Sequence, residues 1–178
     1  AWARPAQGAA RALGTGAVWC AGATNVAFGC SAAYVNGYVN RDVTGRSSTF
    51  GLASIGTLLA SASLVAAVCS VAFGQVAKRV GKGPVVFIGS AAFAAIPASV
   101  LLVPPSPSNA YWHQGLVTLY ILLGVGRSVF ESTARAIFAD LFPGAESPGA
   151  FAAGAVLQNG AFCAHFVLQA WAGETAAA

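Results

Sequence analysis

Charged residues are confined to short segments of this chain, and their distribution is the feature that most constrains the fold. Asp, Glu, Lys and Arg are all missing from residues 12–40, 47–77, 83–126 and 147–173. Charged residues make up 8% of the chain and hydrophobic residues 57%, whereas about 25% of the residues in soluble domains are charged. A soluble domain could not cover its surface with so few charges. We therefore expect the uncharged stretches to lie in a lipid bilayer.

The lengths of these stretches predict five membrane-spanning helices. A helix needs about 20 apolar residues to cross a hydrocarbon core of about 30 Å, and each stretch is long enough. The third stretch is divided by the proline-rich segment 104–109, which cannot continue a helix. The predicted fold is an all-α, polytopic transmembrane bundle that forms a single domain over residues 1–178. Its helices are expected at about 12–37, 50–76, 84–103, 113–139 and 149–172.

The basic residues predict an orientation in the membrane. Lys78, Arg79 and Lys82 lie between the second and third helices, and such clusters face the cytoplasm or its organellar equivalent. Alternation then places the N-terminus and the loop between helices four and five on the same side. The net charge of +4 is too dispersed for a nucleic-acid surface, so we expect no nucleic-acid partner. The membrane itself, plasma, endomembrane or thylakoid, is left open.

Small residues are expected to form the seams between helices, because helices in lipid associate through close packing. Helix two carries Gly56, helix four carries Gly124 and Gly126, and helix five carries Gly154 and Gly160. The four cysteines also lie within the predicted spans, without Cys-x-x-Cys spacing, and are interpreted as small apolar side chains. No metal site is predicted from them.

One loop carries a recognisable motif. After helix two the chain reads Gly74-Gln75-Val76-Ala77-Lys78-Arg79-Val80-Gly81-Lys82-Gly83. This resembles the loop signature of the major facilitator superfamily, Gly-x-Leu-Ala-Asp-Arg-x-Gly-Arg-Lys, which follows the second helix of each six-helix half. Gly74 is expected to permit a close helix contact, and Gly81 to permit the turn into helix three. Lys78 stands where the superfamily prefers Asp, so a charge relay through that Asp is not expected here.

Other segments resemble the Unc-93-like branch of that superfamily. The similarity covers 28–39 at the end of helix one and 124–133 in helix four, and it continues through Leu141-Phe142 and 150–152, Ala-Phe-Ala. It implies a partial major-facilitator half, helices seven to eleven, over about 26–167. A role in transport or in regulating other membrane proteins is then expected. Arg127 stands where the branch tends to have Asp, and Phe130 replaces its Trp.

Three charged residues lie inside predicted helix four. Arg127, Glu131 and Arg135 are spaced by four, which places them on one helix face. An ionisable group near the bilayer centre costs at least ~2.5 kcal/mol, so it must be paired or face water. Glu131 is the expected partner of both arginines. Two interpretations stay open: an internally neutralised ladder that docks the helix, or the polar lining of a translocation path or partner groove.

Further polar residues occur within the spans. Asn25, Gln158, Asn159 and His165 are interpreted first as interhelical hydrogen-bonding groups, and alternatively as pathway or partner contacts. His113, beside Tyr111 and Trp112, is typical of an interfacial aromatic belt. Lipid contacts are expected. In a photosynthetic complex, His113, Gln158 and His165 could instead bind the magnesium of chlorophyll, and carotenoid contacts would also be expected there.

No catalytic motif is present, since the chain has no Gly-x-Ser-x-Gly, no His-Glu-x-x-His and no phosphate-binding loop. We predict that it is not an enzyme. Transport by the superfamily needs two six-helix halves moving around a central site, so five helices suggest an incomplete chain whose partner is the missing half. The alternative hypothesis is a non-transporting accessory or scaffold subunit among other transmembrane subunits, for example in a photosystem–antenna assembly.

Overall fold

The computed structural model describes residues 3–177, with the side chains of residues 8–109 and 112–171. This part of the chain is helical and contains no strand, so the predicted all-α bundle is confirmed. The side chain of Tyr111, part of the predicted aromatic belt, lies outside the described residues. The helices are α1 Ala3–Leu13, α2 Gly16–Tyr34, α3 Ile55–Val80, α4 Lys82–Leu102, α5 Leu116–Val129, α6 Arg135–Leu141 and α7 Ser147–Ala177.

Two wide helical segments lengthen these helices. A π-helical segment, Val35–Val43, continues α2, and a second one, Phe130–Ala134, joins α5 to α6 without a break. Single 3₁₀ turns, such as Leu52–Ser54 before α3 and Gly144–Glu146 before α7, begin other helices. α5 and α6 therefore form one continuous helical rod, with the wide turn Phe130–Ala134 between them.

Four helical segments are long and apolar enough to cross a membrane: Leu52–Val80, Lys82–Leu102, Trp112–Leu141 and Gly144–Trp171. They correspond to the second to fifth predicted spans. The first predicted span, 12–37, falls on α2, which is not among the four. That the bundle crosses the membrane several times follows from the four segments. A further crossing by the first predicted span, 12–37, stays a prediction.

The helices pack as two long pairs joined in the middle. α2 lies along α7, α3 lies along α5, and α4 packs beside α5, while α1 lies against α7. A large apolar core joins α2, α3, α4 and α5, with Val39, Leu58, Ile96 and Leu119 at its centre. A smaller core of Val18, Phe138, Phe142, Ala150 and Ala153 holds α2, α6 and α7 together.

Close approach between helices depends on particular glycines. A Cβ at Gly124 would lie 2.5 Å from the Ala62 carbonyl oxygen, and one at Gly126 would lie 2.3 Å from the Phe93 ring. The seam predicted on helix four is therefore present. The contacts expected at Gly56, Gly74 and Gly160 are wrong, because a Cβ there would meet no atom within 4 Å in the described structure. Gly81 has φ 89°, as the turn into α4 requires.

A pair of Gly→Ala substitutions tests this packing. Gly124→Ala should lower the free energy of unfolding by about 1–3 kcal/mol, because the added methyl overpacks the α3–α5 seam. Gly160→Ala enters open space in a helix and should be neutral or stabilising by up to about 1 kcal/mol. Denaturant unfolding of the detergent-solubilised protein measures both values. Equal destabilisation by the two substitutions would contradict the seam.

Candidate functional site

Arg127 of α5 forms an ion pair with Glu131 of the π-helical segment that follows. The Arg127 Nε donates to Glu131 Oε1 at 2.8 Å, and its Nη1 lies 3.4 Å from the Ser63 hydroxyl oxygen on α3. Both charged side chains are partly exposed. The pair therefore neutralises its own charge within one helix and also links α5 to α3.

Arg135 does not join that pair, so the expected pairing of Glu131 with both arginines is wrong. The π-helical segment Phe130–Ala134 contains Glu131 and ends next to Arg135. The regular spacing of an α-helix therefore does not hold from Glu131 to Arg135. Its guanidinium carbon lies 5.9 Å from the centroid of the Phe130 ring, and it makes no ion pair with the described residues.

Arg135 instead lines a cavity of about 460 Å³, here called the Arg135 cavity. Asn25 of α2 and Gln158 of α7 also line it, so three polar residues predicted from the sequence come together from three helices. Asn25 is 6% exposed, and Gly154 makes room for it, since a Cβ there would lie 2.7 Å from its amide nitrogen. The remaining wall is apolar and includes Phe130, Phe138 and Phe151.

His165 lies elsewhere, in a second cavity between the ends of α2 and α7, here called the outer cleft. Its ring meets the Tyr34 ring edge-on, with centroids 6.1 Å apart. Because α2 runs toward the side predicted to face away from the cytoplasm, the end of the bundle that carries the cleft is here called the outer end. The structure thus places His165 apart from Arg135 and from the Arg127–Glu131 pair.

Two other predicted site residues lie in neither cavity. Asn159 is exposed on α7 and makes no side-chain hydrogen bond with the described residues, so the interhelical contact expected for it is absent there. His113 precedes α5 with φ 42°, and its Nδ1 lies 3.0 Å from the Thr49 hydroxyl oxygen, which joins the two outer loops. Among the described residues, no group of three His, Cys, Asp or Glu could hold a metal ion.

A buried polar network at the outer ends of α2 and α5 was not predicted from the sequence. The Tyr120 hydroxyl donates to Asn40 Oδ1 at 2.5 Å and lies 2.9 Å from the Thr44 hydroxyl oxygen. Asn40 Nδ2 in turn donates to Asn36 Oδ1 at 3.3 Å. Tyr120 and Thr44 are completely buried. The spacing of 36, 40 and 44 was a usable signal for a polar helix face, whereas nothing in the apolar run around Tyr120 marked it as the partner.

The motif loop is fastened to α6 at the opposite end. Lys82 forms an ion pair with Asp140, and its Nζ also donates to the Ala136 carbonyl oxygen at 3.3 Å. Lys78 and Arg79 are exposed and make no ion pair with the described residues. Lys82 is therefore the loop residue that links α4 to α6, and the other two carry the exposed positive charge.

Comparison with known proteins identifies the family. The model of the Major Facilitator Superfamily matches residues 12–173, which is most of the chain. The chain therefore belongs to the major facilitator superfamily, whose members are generally membrane transporters and not enzymes. The superfamily resemblance is confirmed, and an integral, multi-pass membrane protein of transporter type follows from it. No match was found among curated proteins or among solved structures.

Removing the buried hydroxyl should show how far the Tyr120 network stabilises the bundle. Tyr120→Phe leaves Asn40 Oδ1 and Thr44 without their partner in a buried site, which should lower the free energy of unfolding by about 1–3 kcal/mol. Tyr38→Phe is the matched control, since that hydroxyl makes no hydrogen bond in the described structure, and should change it by less than about 0.5 kcal/mol. Thermal and denaturant unfolding measure both. A smaller effect at Tyr120 than at Tyr38 would contradict the network.

Proposed function

We propose that the protein transports small organic anions and that the Arg135 cavity forms part of its substrate site. The observation that supports this is an exposed arginine that makes no ion pair with the described residues and lies on the wall of an open cavity between α2, α6 and α7. Placing Arg in lipid costs about 2.5–3.5 kcal/mol on insertion scales, so such a residue needs water or a counter-ion. A substrate anion would supply that counter-ion during transport.

The other polar groups of the cavity suit the same ligand. No carboxylate lines it, while the amides of Asn25 and Gln158 can donate to oxygen atoms. Arg carries five donors in a planar fork, which matches the geometry of a carboxylate. A cation would meet positive charge and no acid here. The lining therefore favours an anion over a cation or a neutral sugar.

The apolar side of the cavity indicates the chemical nature of the uncharged part of the substrate. Phe130, Phe138 and Phe151 offer ring surfaces beside the polar groups. A volume of about 460 Å³ lies in the usual range of small-molecule sites, about 300–1,000 Å³. A small carboxylate with an apolar or planar body fits both the charge and the surface of this lining.

Hydrogen bonds and ion pairs at the two ends of the bundle would hold the helices that border this cavity. The Tyr120 network ties α2 to α5 at one end, and Lys82 ties α4 to α6 at the other. In an alternating-access cycle such links break and reform as the bundle moves around its site. Arg127 and Glu131 would keep α5 seated on α3 throughout.

We extend the proposal to the Unc-93-like branch on the segments that resemble it. Phe130 stands where the branch has Trp, and its ring stacks on Phe28 with centroids 4.4 Å apart, so an aromatic contact is retained. Arg127 reverses the charge of the branch residue but is neutralised by Glu131. Regulation of other membrane proteins, known for that branch, would use the same bundle.

The accessory-subunit hypothesis, with lipid, chlorophyll or carotenoid contacts, stays a prediction from the sequence. The candidate ligands His113, Gln158 and His165 lie at three separate places: the outer loops, the Arg135 cavity and the outer cleft. None of the described contacts favours pigment binding over transport.

Uptake into proteoliposomes tests the proposal. We expect saturable uptake of at least one member of a carboxylate panel, benzoate, pyruvate and succinate, by the full-length protein, and none of the cation tetraethylammonium. Arg135→Gln should reduce that uptake by about ten- to a hundredfold, because hydrogen bonds to charged groups contribute about 1.5–3 kcal/mol.

Arg11→Gln removes the same charge from an exposed position of α1 and serves as the matched control, with uptake expected to stay within about twofold. Transport of the cation in preference to the carboxylates, or equal uptake by the Arg135→Gln and native proteins, would refute the proposed function.

A further inference from the structure

The outer cleft is a second cavity of about 460 Å³ and shares no lining residue with the Arg135 cavity. Tyr34, Tyr38, Arg41 and Asp42 contribute its α2 wall, and His165, Leu168 and Gln169 contribute its α7 wall. Neither the superfamily nor the transport proposal assigns a role to it.

Two buried nitrogen atoms on the α7 wall have no hydrogen-bond partner. They are His165 Nε2 and Gln169 Nε2, and both are closed off from solvent. The two residues are four apart on one helix, so their side chains lie one turn apart on the same face. Buried polar atoms are almost always paired, and an unpaired one calls for an explanation. Two such atoms beside one cavity indicate a missing partner that can accept hydrogen bonds.

The backbone of α2 leaves room for this arrangement. Gly37 faces Gln169, and a Cβ at Gly37 would lie 1.9 Å from the Gln169 Oε1 atom. The amide oxygen therefore occupies the space that a larger residue would fill. The lack of a side chain at Gly37 therefore lets the Gln169 amide lie against the backbone beside the cleft.

The charge of the cleft favours an anion. Asp42 is its one acidic lining residue, and both of its oxygens are occupied: Arg41 Nη2 lies 2.9 Å from Oδ2, and Arg46 Nη2 lies 3.4 Å from Oδ1. Two arginines against one aspartate leave a net positive charge at the mouth. The lining thus presents donors and positive charge, with no free carboxylate to hold a cation.

The aromatic side chains favour a planar ligand. The Tyr34 and Tyr38 rings stack with centroids 5.4 Å apart, and His165 meets Tyr34 edge-on. Aromatic surfaces of this kind bind a further ring through offset or edge-to-face contacts. A ring against the tyrosines would leave an attached carboxylate free to reach the α7 wall.

We propose that the outer cleft binds a small planar organic anion, such as an aromatic carboxylate. Its oxygens accept hydrogen bonds from His165 Nε2, in the tautomer protonated there, and from the Gln169 amide, after both side chains turn toward the cleft, while its ring packs on Tyr34 and Tyr38. Arg41 at the mouth attracts the negative charge. This site does not depend on the transport proposal, since a non-transporting protein could carry it equally well.

Equilibrium dialysis of the full-length protein in neutral detergent tests the site, with 2-naphthoate as the probe. The protein carries Arg135→Gln throughout, so that binding in the Arg135 cavity does not contribute. We expect saturable binding of 2-naphthoate, and at least roughly tenfold weaker binding of the neutral 2-naphthamide and of the cation 2-naphthylmethylammonium.

Two substitutions that preserve size then remove the donors. Gln169→Leu and His165→Phe should each weaken 2-naphthoate binding about tenfold or more. Gln75→Leu, the same chemical change at an exposed position of α3, should leave it within twofold. If His165→Phe does not give a monodisperse protein, Gln169→Leu and Arg41→Gln together test the site. Arg41→Gln alters an exposed side chain and should weaken both 2-naphthoate binding and the salt dependence of that binding.

Three results would each overturn the proposal. They are equal affinity for 2-naphthoate of the Arg135→Gln protein with and without Gln169→Leu or Arg41→Gln, equal binding of 2-naphthoate and 2-naphthamide, and no binding of 2-naphthoate by a protein that binds phosphatidylglycerol at this cleft. The last would assign the cleft to an anionic lipid.

Discussion

Pairing of polar groups inside an apolar bundle is the constraint on which this structure depends. Lipid offers no partner for a charge or a hydroxyl, so each one must meet another group of the protein or face water. Glu131 meets Arg127, Asn40 meets Tyr120, and Asp140 meets Lys82. Each pair brings two turns or two helices together, so the polar contacts also determine how the helices are arranged.

The Arg135 cavity lies next to an irregularity of the backbone. A regular α-helix would place Glu131 between two arginines, and all three charges would form one compact cluster. Here a π-helical turn, Phe130–Ala134, precedes Arg135, which lines a cavity with Asn25 of α2 and Gln158 of α7. Wide turns of this kind recur at functional sites. In this chain the turn comes directly before the cation to which the proposed substrate site is assigned.

Much of the fold could be predicted from the sequence, because a bilayer imposes simple requirements on length and charge. The uncharged stretches and the prolines at 104–109 mark the helices, and the loop around Gly81 marks the superfamily. Contacts between distant segments could not be predicted in the same way. Tyr120 lies in an apolar run that does not reveal Asn40 as its partner, and Gly160 looks like a packing residue although it faces open space. The spacing of Glu131 and Arg135 was misleading because a wide helical turn leaves no clear signature in residue type.

The proposed transport requires that the polar residues around Arg135 face water and not lipid. Labelling with a membrane-impermeant methanethiosulfonate reagent tests it directly, in native membranes and with the four natural cysteines replaced by serine. Cysteine introduced at Asn25, Gln158 or Arg135 should react readily, and a small carboxylate should slow the reaction. Cysteine at Phe87, which is 74% exposed on α4, should react slowly because this apolar surface is expected to face lipid. Equally slow labelling at all four positions would contradict the claim.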